Sequence, residues 1–176
     1  MNAAEPIIPV AGRTCGDCAM CCKLPEIKAL DKPRDTWCVH CSTRKKCDAY
    51  ETRPTPCRDF YCGYMLHSAF GEEWHPLTSR MMVSLNSDGG HFFVQVDPSR
   101  PDAWKKAPYY QQLKSMARAN NPQGLQVIVA IGQRHVVVFP DRDEDIGTVT
   151  DEDSVSFSIT QTANGHITQV SKTKKD

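Results

Sequence analysis

Along "RMMVSLNSDGGHFFVQVDP", residues 80–98, apolar side chains recur at every second position: Met81, Val83 and Leu85, then Phe92, Val94 and Val96. A period of two marks a strand with one buried face, because successive side chains point to opposite sides of a sheet. The polar run "SDGG" between the two series predicts a turn, and Pro98, which lacks an amide donor, stops the second strand. "LQVIVAIGQRHVVVFPD" repeats the form around Gly132 with two nearly continuous apolar arms, which predict the centre of a sheet covered on both faces. Between the hairpins the period changes. Tyr109, Leu113 and Met116 fall at i, i+4 and i+7, predicting a helix near 103–119 with Asp102 as its cap and "NNPQG" as its end. A weaker third hairpin, "VSFSITQTANGHITQV", carries the Asn164-Gly165 pair of a tight turn. The link "DRDEDIGTVTDED" holds seven acidic residues against one Arg and reads as an exposed loop, while "SKTKKD" reads as a frayed tail.

The predicted class is therefore α+β: an antiparallel β-sheet with one main helix, carrying a small cysteine-rich subdomain at its N-terminal side. The divisions are an extension over 1–14, the cysteine-rich subdomain over 15–75, an antiparallel ββαββ portion over 76–140, and an acidic loop, weak hairpin and flexible tail over 141–176. No internal repeat is present, and a chain of 176 residues suits about one domain.

Before Arg80 the periodicity gives way to cysteines. All nine lie between Cys15 and Cys62: Cys15, Cys18, Cys21 and Cys22 in "TCGDCAMCCK", Cys38 and Cys41 in "WCVHC", then Cys47, Cys57 and Cys62. The opening "MNAAEPIIPVAG" has no early Lys, and its apolar residues are interrupted by Pro6 and Pro9, so it does not read as an export signal. No stretch approaches the roughly 18–20 apolar residues of a spanning helix. These features predict a cytoplasmic protein with no membrane partner. In a reducing compartment dense cysteines point to metal or catalysis rather than disulfides, and an odd count cannot pair completely within one chain. A two-residue gap lets both sulfurs grip one tetrahedral ion. The bland alternative, reduced cysteines as small core side chains, is weakened by the scarcity of apolar partners here.

Two closed tetrahedral sites would use eight thiolates and leave one of the nine as a bridge, a spare or an exchangeable ligand. Consecutive side chains diverge, so Cys21 and Cys22 are expected to serve different metals, or one of them to be free. C-x2-C-x2-C also opens a ferredoxin-type ligand run, although the x3-C-P element is missing, so zinc and an iron–sulfur cluster both remain open. Among histidines, His40 lies between two ligands, where a side chain usually points away from the ion, and His67 and His75 lie just beyond the cluster. Pro54 and Pro56 fix the approach to Cys57, and Arg53 or Arg58 can hydrogen-bond thiolates from outside the ligand shell. Trp37, Phe60 and Tyr61 are placed to wall the site from water.

The string formed by Cys15, Cys18, Cys21, Cys22, Cys38, Cys41, Cys47, Tyr50, Arg53, Pro54, Cys57, Arg58, Phe60 and Cys62 resembles that of the YkgJ-type cysteine-cluster proteins, which are mostly bacterial and regarded as zinc- or iron-chelating domains. The resemblance covers about the first 65 residues closely, with a weaker echo in "IGQRHVVVFPDRDEDIG". It implies metal chelation by the nine cysteines and supplies no substrate.

Charge narrows the classes further. With 21 basic and 21 acidic side chains the chain has no general attraction to nucleic acid or anionic membrane. A four-thiolate site around a divalent ion carries about −2, which Arg44, Lys45, Lys46, Arg53 and Arg58 are placed to offset. The sequence has no Gly-rich phosphate loop, no H-E-x-x-H and no G-x-S-x-G, so no catalytic motif is identified. The expectation is a metal-binding protein holding zinc or iron in a structural or metal-handling role. The alternatives are an iron–sulfur-dependent redox enzyme and a zinc-ordered interaction module, whose nucleic-acid form is weakened by the lack of an aromatic-basic stripe.

Overall fold

The computed structural model describes residues 8–42, 46–85, 90–162 and 165–175. Arg44, Lys45, most of the "SDGG" turn and Asn164 lie outside them. The chain divides into two compact units, Met1–Ser84 and Leu85–Asp176.

The first unit is irregular chain held by single turns. Among the described residues it holds the 3-10 turns Met20–Cys22, Lys28–Leu30 and Glu72–Trp74 and the one-turn helices α1 (Thr55–Arg58), α2 (Gly63–Leu66) and α3 (Pro76–Ser79). Pro56 and Pro76 sit in the first turns of α1 and α3, where a missing amide hydrogen costs nothing. Residues 10–13 are tied down. Val10 N donates to Met65 O at 2.8 Å. The Arg13 guanidinium donates to the carbonyls of Tyr64, His67 and Phe70 while lying 4.3 Å from the Tyr64 ring centre. The core has two small parts. In one, Met20, Leu24 and Met82 are packed by Cys18, Cys21, Phe60, Cys62 and Leu77; in the other, Ala19, Cys38 and Cys41 are packed by Cys22, Leu30 and Trp37.

Strand β1 (Met81–Leu85) begins in the first unit, and the chain after it supplies β2 (Phe92–Val96), α4 (Tyr109–Asn120), β3 (Val127–Ile131), β4 (Arg134–Val138), β5 (Asp143–Thr148), β6 (Asp153–Thr162) and β7 (Gly165–Lys174). One sheet has the order β1-β2-β3-β4-β5, and β6-β7 form a second, two-stranded sheet. The fold is α+β with one main helix, but the large sheet is mixed rather than antiparallel. β2 and β3 run parallel, Phe92 opposite Val127 through Val96 opposite Ile131. The reason lies in the connection. A 12-residue helix is about 18 Å long, close to the length of a five-residue strand, so α4 carries the chain back to the starting end of its neighbour. β3–β4 and β4–β5 are antiparallel. The 127–138 hairpin turns at Gly132 with φ +59°, in the region that favours glycine.

Three further expectations change. The acidic link is not all loop: Asp143–Thr148 pairs with β4 through a bulge, in which Gly147 at φ +69° opposes His135 and Asp145 opposes Val136. The last hairpin is ten residues long on each arm, and β7 continues to Lys174 through most of the supposed tail. The helix starts at Tyr109, after a separate turn at Ala103–Lys105, and Asp102 makes no side-chain cap there. Leu113 and Ala117 form its most buried apolar face, and Lys114 beside them donates at 2.7 Å to Phe139 O and Arg142 O and pairs with Asp143 at 2.7 Å. Asn121–Gln123 and Gly124, at φ +82°, end the helix where "NNPQG" placed it.

Candidate metal centre

Each cysteine is placed by a local turn. Cys15 O accepts from Cys18 N at 2.7 Å, Gly16 taking φ +48° between them. The following 3-10 turn drives Met20 inward and leaves Cys21 and Cys22 on either side of it, so the neighbours join different halves of the core: Cys21 packs with Met20 and Leu24, Cys22 with Ala19 and Cys41. Cys38 N donates to Cys22 O at 2.9 Å, which lays the second cysteine pair against the first, and Cys41 N closes a turn on Cys38 O at 3.0 Å. Cys47 is brought back by Asp48, whose amide donates to His40 O at 2.7 Å and whose carboxylate accepts from Ser42 N at 2.9 Å. Cys57 N bonds Pro54 O inside α1, and Cys62 stands at the start of α2.

All nine are free thiols. Cys15, Cys18, Cys21, Cys22, Cys38, Cys47 and Cys57 line one cavity of about 550 Å³. Cys41, only 2% exposed, and Cys62 do not line it and stand in the two core clusters beside it. Pro25–Leu30, Pro54, Pro56 and Phe60 line it as well. His40 also lines the cavity, whereas His67 and His75 stack on Phe70 and Tyr64. Trp37 and Phe60 pack on the clusters; Tyr61 does not line the cavity. Sequence reasoning missed Lys32, a buried ammonium that donates to the carbonyls of Lys23, Pro25 and Pro33 and so ties residues 23–33 together. Nothing in its neighbourhood distinguishes it from a surface Lys.

Electrostatics favour the protonated form of seven of the thiols. Burial pushes Cys18 and Cys41 up to about 11 and also raises Cys47, Cys57 and Cys62. Cys15, the exposed one, is raised first by lost hydration and then by Cys62. Cys22 is raised most of all, by its hydrogen bond with Cys21 and then by burial. It also hydrogen-bonds with Cys41, so it touches a thiol of each half of the core. Soft sulfur donors of this number fit zinc or iron by chemistry. Among the described residues no three or more His, Cys, Asp or Glu side chains already stand as a metal ion would need them. Closure would have to come with the ion, as is usual where the ligands must first lose protons.

Among the described residues no helix is long and apolar enough to cross a membrane. Comparison of the chain with protein-family models, with curated proteins and with solved structures returned no match.

Proposed function

We propose that the chain is a metal-binding protein that chelates zinc or iron through clustered cysteine thiolates. The observation that carries this reading is the convergence of nine unpaired thiols, seven of them around one cavity. The resemblance of residues 15–62 to YkgJ-type cysteine-cluster proteins points the same way. The division of the core suggests a division of ligands. Cys15, Cys18, Cys21 and Cys62 form one group; Cys38, Cys41, Cys47 and Cys57 form the other, with Cys22 between them as the bridge or exchangeable thiol. Bound zinc would supply a rigid tetrahedral cross-link, and an iron–sulfur cluster would supply one-electron redox chemistry.

Purification without oxygen, with metal, acid-labile sulfide and the visible spectrum measured on one sample, tests the reading. A colourless protein with one or two zinc ions per chain and no sulfide identifies zinc sites; a brown one with sulfide matching iron identifies a cluster. A metal-free sample whose nine thiols all titrate freely refutes chelation.

A further inference from the structure

Two arginines flank Cys57, and they have different surroundings. Arg58 faces water: its side chain is 58% exposed, donates to Thr55 Oγ1 at 3.1 Å and lies 3.6 Å from the Asp59 carboxylate. Arg53 lines the cysteine cavity, with its guanidinium carbon 3.8 Å from the centre of the Tyr50 ring. Its Nε is buried and has no hydrogen-bond partner among the described residues. Lost hydration without a partner costs about 1–3 kcal/mol and more for a charged group, so such an atom calls for an acceptor. The cations that share the cavity, Lys28 and Lys46, are exposed and hydrated, and the carboxylate of Glu26 is exposed too. Arg53 is the basic group there whose position is fixed, by an aromatic stack and by Pro54 immediately after it. Its charge is felt at Cys15, Cys47 and Cys57, which come from both ligand groups.

We infer that Arg53, clamped by Tyr50, is the positioning residue that donates its Nε–H to the metal-bound thiolates and offsets the negative charge they carry. This rests on the chelation reading above. Outer hydrogen-bond partners of metal ligands typically govern 10–100-fold in affinity. They also lower the sulfur donor level, so losing one moves a thiolate-to-metal charge-transfer band to longer wavelength.

The probe is cobalt(II), added to the reduced full chain without oxygen and read by the thiolate-to-cobalt band and by competition with a chromophoric chelator. Arg53→Gln is expected to bind cobalt about 10–100-fold more weakly, with its band displaced to longer wavelength, while Arg58→Gln matches wild type. Tyr50→Leu, which keeps the arginine and removes its clamp, is expected to move the band the same way by a smaller amount; it carries the test if Arg53→Gln does not fold. An unmoved band in the folded variants overturns the inference even if affinity falls, because that result belongs to a merely structural arginine. Failure of the wild-type chain to take up cobalt refutes chelation itself, and the inference with it. Uptake by wild type and Arg53→Gln alike refutes the inference alone.

Discussion

Lys32 offers the sharpest test of how the cysteine unit is held. The residue is 5% exposed, and its ammonium donates to Lys23 O at 3.0 Å, Pro25 O at 2.5 Å and Pro33 O at 3.0 Å. The three carbonyls leave none of its donors unused and stitch the loop facing the thiols to itself. Lys32→Met keeps most of the stem and removes the head. Charged hydrogen bonds contribute about 1.5–3 kcal/mol each, but they are not additive, the freed carbonyls partly hydrate, and the desolvation of the ammonium is recovered. A net loss of about 3 kcal/mol follows, more than a hundredfold in the folding equilibrium and a large share of the roughly 5–15 kcal/mol of a typical domain. Guanidinium titration of the reduced protein, followed by tryptophan fluorescence from Trp37 and Trp74 in the first unit, measures it. Lys28→Met, on an exposed lysine of the same loop, is the control and should fall within about 0.5 kcal/mol of wild type. If Lys32→Met falls there too, the ammonium is not what fixes the loop.

Removing metal with a chelator should cost residues 15–62 their amide protection first and leave β2–β4 protected, since burial of Val94, Val127 and Val137 does not depend on an ion; hydrogen exchange that falls equally in both regions would contradict this. Lys114→Met should destabilise the second unit by about 2 kcal/mol, because it removes the buried ammonium from the Phe139 carbonyl, while Arg142 O keeps the Phe139 amide and Asp143 keeps the Tyr110 hydroxyl; thermal unfolding in parallel with Ser115→Ala, on the exposed helix face, checks it. Asp153 is held down to about 2 by the Thr150 amide and hydroxyl and by Lys174. Its folded value lies below its ordinary 3.8, so its contribution is complete above pH 4 and is lost as pH falls toward 2. Asp153→Asn should flatten that part of the acid-unfolding curve, and an unchanged curve would remove Asp153 as the cause.

Period-two alternation reveals which side chains share a face and is silent about the direction of the neighbouring strand. That is why the strands around Val83, Val94 and Val129 were legible while the parallel β2–β3 pair was not. β5 was hidden for another reason. "DEDIG" carries charge where a half-buried strand would carry apolar residues, and its Gly147 bulge breaks the alternation; Asp-x-Gly beside an apolar strand was the available signal. Leu113 was legible from helical spacing, though the deepest partner proved to be Ala117 rather than Met116, because the short side chain lies closest to the sheet-facing line. In the cysteine unit the spacing named the thiols and the local turns. It did not reveal Arg13 or Lys32, whose partners are carbonyls, since every residue has one and no side-chain pattern announces which will be left unpaired.

The charged strand β5 has one more consequence. It is the last strand of its sheet, the place where a polypeptide is most open to adding strands from other molecules. Here Lys172, from β7, donates to Ile146 O at 2.7 Å and Thr148 O at 2.9 Å, taking acceptors that an incoming strand would need. Asp143, Glu144 and Asp145 are paired within the chain, with Lys114, Arg142 and Arg134, and the bulge at Gly147 interrupts the register an incoming strand would have to match. The β5 edge thus offers an added strand fewer unpaired carbonyls and a broken register, a protection built from one lysine and one glycine rather than from a further strand.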